Sequence, residues 1–279
     1  MTGTRTSVAV LMTCYNRVET TLRCLRLLFA QEMPAGWALD VWLVDDASPD
    51  GSGEKVKAEF PQVNVIRGTG KLFWCKGTRL AWDTAAAAKD YNGYLWLNDD
   101  VVLASDAIMG LVKDVEATKD SAILIGAFRR SETDDWIAYG VGGSDARRLR
   151  PNGKPQKTTG VMSGNFVYVP KSVFRKIGPI YGGYSHCFGD HDYGCLADRS
   201  GVARYLCSQT VGICPQQPER YHHKLKSLSV LGRIKVLFAP KGFSIRDNFI
   251  YKYRNFGLVN ALASVLHVIW IRVVLANER

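Results

Sequence analysis

The chain is 279 residues long, 47% hydrophobic, and carries a formal net charge of +10. That length and apolar content exclude a disordered chain and allow one substantial core with a smaller appendage. The positive charge calls for an anionic partner, and with no RNA-binding sequence or Cys/His finger beside it, nucleic acid is not expected. Seven cysteines form no Cys-x-x-Cys pair and leave one over in any full pairing, so reduced, mostly buried thiols are expected rather than a disulfide or zinc framework. The polar start, Met1 to Thr6, leads to the expectation of a cytoplasmic product.

Ser7 to Met12 reads as a buried strand that gives way to Thr13-Cys14-Tyr15-Asn16-Arg17. A helix follows, with Leu22, Leu25, Leu28 and Phe29 on one face, until Pro34 and Gly36 stop it. A second apolar run, Leu39 to Val44, ends in Asp45-Asp46-Ala47-Ser48-Pro49-Asp50-Gly51. Strand, helix, strand is a right-handed unit with parallel strands, and ligands of open α/β sheets gather at the carboxyl ends of such strands. Thr13, Tyr15, Asp45 and Asp46 therefore share one rim.

The pattern repeats with a helix from Gly53 to Phe60, a strand from Val63 to Ile66, the loop Gly68-Thr69-Gly70, and a helix running from Phe73 and Trp74 through the alanines at 85–88. The next strand, Tyr94-Leu95-Trp96-Leu97, stops abruptly at Asn98-Asp99-Asp100. Two adjacent carboxylates repel unless a proton or cation compensates, and a divalent cation with oxygen ligands does so. Taken alone, the pair reads equally well as a strand-to-turn cap. Together with Asp46, it makes an acidic sheet edge that must be neutralised.

Beyond it, a helix is expected over Ala104 to Ala117, a strand over Ala122 to Phe128, and a flap or short hairpins over the glycine- and proline-rich Arg129 to Thr159. A strand over Asn165 to Pro170 and a helix over Lys171 to Ile177 follow. The second acidic focus, Phe188-Gly189-Asp190-His191-Asp192-Tyr193, opens a helix whose positive end Asp190 or Asp192 occupies, as a functional acid or as a simple cap. After Pro215 the chain turns basic and aromatic. Phe256 to Leu275 is interrupted by Asn260, Ser264, His267 and Arg272, which favours an amphipathic helix, packed on the protein or lying on a membrane, over a spanning one.

The ordered set Val8–Arg17, Val44–Asp50, Leu97–Asp100 and Gly189–Asp192 resembles the family 2 inverting glycosyltransferases of the GT-A fold. Phe73-Trp74 and Tyr94–Asp100 are similar to the bacterial branch that builds surface polysaccharides, including rhamnosyltransferase-like members. The resemblance implies a mostly parallel, Rossmann-like sheet flanked by helices, with a catalytic domain over 1–215 and a basic helical segment over 216–279. It implies that Thr13, Tyr15, Asn16, Asp46, Trp74 and Asp99 bind a nucleotide-diphosphate sugar, Asp46 by accepting a base imide N–H. Asp100, last of a DXD-like triplet whose first member is Asn98, is expected to contact Mn²⁺ or Mg²⁺, with His222 as a late additional ligand. Asp190 is the expected base, with Asp192 second, and Gly164-Asn165 are expected to line the acceptor side. The acceptor implied is a saccharide, lipid-linked, met at the cytosolic membrane face; the amphipathic C-terminal segment itself reads either as a peripheral membrane contact or as a packing or oligomer contact. The rival readings are a nucleotidyltransferase, which calls for a glycine-rich, Lys/Arg-bearing loop after the first strand, and a non-catalytic basic nucleic-acid or carbohydrate-binding module.

Overall fold

A computed structural model describes residues 6–142, 149–215, 228–242 and 244–274. Four strands form the expected parallel core: β1 (Thr6–Cys14), β2 (Trp37–Asp45), β3 (Asn64–Arg67) and β4 (Gly93–Leu97). The sheet continues through β5 (Val102–Leu103), β6 (Ile123–Ser131), β7 (Asp134–Tyr139), β8 (Gln156–Lys157), β9 (Phe166–Pro170) and β10 (Arg204–Ile213). Its order is β3-β2-β1-β4-β9-β6-β10-β5, with β7 paired to β6 and β8 to β10. β9 runs antiparallel to both β4 and β6, so it joins two parallel groups of strands.

Alternation along β1 explains why this sheet is covered on both faces. Val8, Val10 and Met12 point into one apolar layer with Leu25 and Leu43, while Ala9 and Leu11 point into the other with Trp82 and Trp96. Period-2 side chains buried on both sides are what a parallel sheet between two helical layers requires. The first layer is supplied by α1 (Val18–Phe29), α2 (Ser52–Glu59) and α4 (Ala107–Ala117), the second by α3 (Phe73–Ala88) and α6 (Gly189–Arg199); α5 (Lys171–Ile177) follows β9. Trp82 in α3 is fully buried and meets the rings of Tyr94, Trp96, Phe174 and Tyr193. Truncating such a side chain to alanine costs about 3–5 kcal/mol.

Several expectations are adjusted. The helix expected from Ala104 begins at Ala107, because Val102 and Leu103 first pair antiparallel with Gly212 and Ile213. The expected flap contains an antiparallel hairpin of β6 and β7, and its residues 143–148 lie outside the described residues. All seven cysteines are free thiols. The C-terminal segment contains α7 (Val230–Leu237) and α8 (Ile245–Ile269), with one further turn over Trp270–Val274. α8 starts eleven residues before the expected Phe256 and is broken at Gly257, whose φ of 83° no right-handed helix accommodates.

Candidate functional site

Register places the expected rim. Cys14 at the end of β1 lies opposite Asp45 at the end of β2, and Leu11 lies opposite Trp96 in β4. The residues following these strands, Tyr15 to Arg17, Asp46 and Asn98 to Asp100, therefore emerge side by side. Four non-glycine residues adopt positive φ in segments that carry site residues: Asn16 (52°), Ala47 (57°), Phe73 (55°) and Phe188 (73°). Such backbone strain concentrates where the surrounding structure must aim particular groups. Thr13 is half-buried under α3, close enough to Gly77 that a Cβ there would lie 2.7 Å from the Thr13 methyl. Tyr15 is exposed, and the Asn16 N–H donates to Ser48 Oγ at 3.0 Å.

Asp46 is buried and already engaged. Its Oδ1 accepts from Gly70 N at 2.7 Å, and its Oδ2 accepts from Leu72 N at 2.9 Å and Phe73 N at 3.0 Å. The side chain thus shapes the loop that starts α3. Two oxygens offer about four acceptor sites, so one on Oδ1 remains for a further donor. Asp45, also buried, accepts from Ser48 N at 3.0 Å and holds the turn after β2.

Arg17, at the start of α1, bridges the acidic pair: one guanidinium nitrogen is 3.3 Å from Asp99 Oδ1 and 3.0 Å from Asp100 Oδ2. Asp99 is buried, and its Oδ2 accepts from Thr21 Oγ1 at 2.9 Å. Burial pushes its pKa up to about 7, with Arg17 opposing and the Asp100 charge reinforcing the shift. Asp100 is more open, yet its Oδ1 is buried and makes no hydrogen bond. A divalent cation fits that oxygen, because Mg²⁺ or Mn²⁺ at a diphosphate needs only one or two carboxylates, with phosphate oxygens and water completing the shell. Among the described residues, no three or more His, Cys, Asp or Glu side chains converge as an all-protein cage. His222 lies outside the described residues.

Asp190 joins the same surface through Trp74. Trp74 Nε1 donates to Asn98 Oδ1 at 2.8 Å, so the uncharged first member of the triplet serves as an acceptor for the indole. The Trp74 ring packs so tightly on Gly164 that a Cβ there would lie 2.5 Å from it and 3.3 Å from Asp190 Cβ. The Gly164 N–H donates to Asp190 Oδ2 at 2.9 Å, and the His191 N–H donates to Oδ1 at 2.9 Å. Asn165 is buried, with its carbonyl accepting from Asn98 N and its amide directed at Cys214 Sγ. It supports the triplet from behind, so of the expected acceptor-side pair Gly164 alone contacts Asp190.

Asp192 sits differently. It is 1% exposed, with Arg254 Nη2 3.2 Å from its Oδ2 and Asn255 Nδ2 2.6 Å from its Oδ1. This carboxylate is closed to solvent and committed to Arg254 and Asn255, and it anchors α8, whereas Asp190 stays beside Gly164 and Trp74.

Sequence reasoning gave no role to Arg17, Thr21 or His186. Arg17 stands directly beside Tyr15-Asn16, but only the tertiary fold shows that it faces carboxylates more than eighty positions away. His186 has a buried Nδ1 with no partner, edge-on to Phe73 at 6.5 Å. Burial and Lys241 push its pKa down, against Asp190. A cleft of about 480 Å³ lies elsewhere, lined by Arg129, Arg150, Gly153 and Gln209 among others, and shares no residue with this rim.

A model described as Glycosyl transferase family 2 matches residues 9–178, well over half of the chain. Comparison with curated proteins gives no match. Among solved structures, S. aureus TarS 1-349 has a TM-score of 0.56 at 14% identity, covering 95% of this chain and 74% of that one. The mannosyltransferase PcManGT from Pyrobaculum calidifontis, in complex with GDP-Man and Mn²⁺, has a TM-score of 0.55 at 16% identity, covering 95% and 75%. TarS 1-349 in complex with UDP-GlcNAc has a TM-score of 0.56 at 14% identity, covering 96% and 82%. The family match, the sheet order and these neighbours lead to one conclusion: the chain belongs to glycosyl transferase family 2 and has the GT-A fold.

Proposed function

We propose that the protein transfers a sugar, with inversion, from a nucleotide-diphosphate donor to a hydroxyl of a saccharide acceptor. The observation that carries this reading is the joining of two acidic centres by Trp74, which reaches Asn98 of the Asn98-Asp99-Asp100 triplet on one side and packs against Gly164 and Asp190 on the other. Transfer with inversion needs both centres at once, one at the leaving diphosphate and one at the attacking hydroxyl.

In this account Thr13, Tyr15, Asn16 and the remaining acceptor site of Asp46 hold the nucleoside, and Arg17 keeps Asp99 and Asp100 paired. Asp100 Oδ1 would hold a divalent cation, Mn²⁺ or Mg²⁺, which would supply positive charge to the leaving diphosphate. Asp190, fixed by the Gly164 N–H, accepts the acceptor's hydroxyl proton while that oxygen attacks the anomeric carbon. A single displacement of this kind inverts the carbon. The UDP-GlcNAc and GDP-Man bound to the structural neighbours agree with a nucleotide-sugar donor. The acceptor in this reading is a lipid-linked saccharide of a surface polysaccharide pathway, met on the cytoplasmic face of a membrane.

The experiment is donor binding by calorimetry and nucleoside diphosphate release, using UDP-, dTDP- and GDP-sugars with Mn²⁺, Mg²⁺ or EDTA. One donor is expected to bind and release its diphosphate in a metal-dependent way. If no nucleotide sugar binds with or without metal, the reading is wrong.

A further inference from the structure

Among the described residues, nineteen large hydrophobic side chains are exposed, and thirteen of them fall between Val230 and Ile271. Their spacing is helical rather than scattered. In α7, Val230, Leu231 and Ile234 are exposed, while Arg233 and Leu237 are buried. In the part of α8 beyond Gly257, Leu258, Val259, Leu262 and Leu266 are exposed, Val259 at 80%, while Ala261 is fully buried against the protein. Trp270 and Ile271 extend the same apolar surface.

The break at Gly257 decides what this surface is. Ser264 Oγ donates to Asn248 Oδ1 at 2.8 Å across sixteen positions, a separation that a straight helix would stretch to about 24 Å. The two arms of α8 therefore fold back on each other. The outer arm is held along the protein by that bond, by buried Ala261 and by Arg233 Nη1 donating to the Val273 carbonyl at 3.3 Å. Although the whole stretch Ile245–Val273 is apolar enough to span a bilayer by composition, a hairpin tied down in this way lies flat.

Charge identifies the occupant. Between residues 228 and 274 the only carboxylate is Asp247, fully buried, against seven Lys and Arg. Arg246 and Arg254 pair with Asp247 and Asp192, while Lys235, Lys241 and Lys252 have no carboxylate partner among the described residues. Lys252 Nζ sits 4.9 Å over the Phe256 ring, a cation poised at the edge of the apolar face. Apolar side chains rimmed by cations and flanked by Trp and Tyr suit the headgroup boundary of an anionic bilayer.

We propose that α7 and the outer arm of α8 dock on an anionic membrane surface, with the helices in its plane. The inner arm fixes the orientation. It grips the chain on both sides of Asp190, through Asp247 accepting from Ser185 N at 2.8 Å, Tyr251 stacked on Phe188 at 5.0 Å, and Arg254 paired with Asp192 and lying 3.8 Å over the Tyr181 ring. Docking thereby brings the Asp190 side of the rim toward the membrane. The inference goes beyond the proposed reaction and holds whichever sugar is transferred.

The test is flotation of the purified full chain with vesicles of phosphatidylcholine alone or mixed with phosphatidylglycerol, at low and high salt. Binding is expected only to the anionic vesicles and is weakened by salt. The exposed-site double variant Val259→Asp/Leu266→Asp should lower partitioning by at least about tenfold, with an unchanged circular dichroism melt. In the unsubstituted protein, brominated lipid should quench tryptophan fluorescence, and Trp270→Phe should reduce that quenching. Absence of binding to anionic vesicles, or binding indifferent to the two aspartates, would overturn the proposal. So would a concentration-dependent dimer that the same aspartates convert to monomer without any vesicle binding, since a second copy would then be what covers this face.

Discussion

The Gly164 N–H donates to Asp190 Oδ2 at 2.9 Å, while the Gly164 Cα faces the Trp74 ring with no room for a side chain. One residue thus aims the carboxylate and admits the indole that reaches Asn98. Adding a single methyl at this position tests the arrangement. Gly164→Ala would put a Cβ 2.5 Å from Trp74 and 3.3 Å from Asp190 Cβ, and overpacking of this kind costs about 1–3 kcal/mol. We expect a lower melting temperature together with a fall in kcat for sugar transfer of about tenfold or more, because small misplacements at a reacting centre are expensive. Full activity in the alanine variant would mean that Gly164 does not position Asp190.

Asp192 separates from Asp190 by consequence. Asp192→Asn leaves Arg254 facing a neutral amide in a buried place, and breaking one partner of such a pair costs about 3–5 kcal/mol, somewhat less here because Arg254 is about one-third exposed. The expected signature is a lowered melting temperature, with Arg254→Met producing a similar loss and the double variant less than the sum. Additive losses would show that the two side chains do not stabilise each other.

Arg17 holds two carboxylates with one guanidinium, and Asp99 and Asp100 in turn raise its own pKa against the opposing effect of burial. Arg17→Ala removes the cationic partner that the two acids share. The variant should be destabilised by about 1–3 kcal/mol. Added Mn²⁺ should raise its melting temperature more than that of the unsubstituted protein, since a divalent cation relieves the same repulsion. Equal Mn²⁺ shifts in the two proteins would contradict a shared electrostatic site.

Asp99 predicts a pH dependence in metal-free buffer. Its folded pKa, pushed up to about 7 by burial, lies above the ordinary 3.8. The folded chain therefore holds a proton that the unfolded chain releases, and stability must fall as pH rises between those two values. Comparing melts near about pH 5 and about pH 8, the unsubstituted protein should lose about 2.5 kcal/mol that Asp99→Asn retains. Parallel curves for the two proteins would show that Asp99 ionises normally.

What could be read in the sequence was what repeats locally. The β1, β2 and β4 runs are largely apolar and end in polar groups, so their presence and their common rim follow from pattern. The helix at Gly189 was legible from its acidic first turn. That turn carries two aspartates, and nothing local distinguishes them; the distinction comes from Arg254, more than sixty positions later. Asp46 read as a free ligand because its three backbone donors belong to a loop shaped only in the fold. The strand Arg204–Ile213 escaped notice because its buried positions are interleaved with polar ones at irregular spacing and its pairing shifts register twice. Gly257 looked like an ordinary residue of an apolar helix, and only its left-handed backbone shows the hairpin.

The central claim is that Asp190 takes the acceptor proton, and the most direct measurement is turnover of Asp190→Asn with the donor identified by binding. Asparagine keeps the size of the side chain and an oxygen for the Gly164 N–H while removing the basic charge, and it loses only the acceptor that Oδ1 offers the His191 N–H, a cost of about 1 kcal/mol. The account predicts unchanged donor affinity, a melting temperature close to that of the unsubstituted protein, and a loss of kcat of about a hundredfold or more. Transfer at an undiminished rate by Asp190→Asn would contradict it.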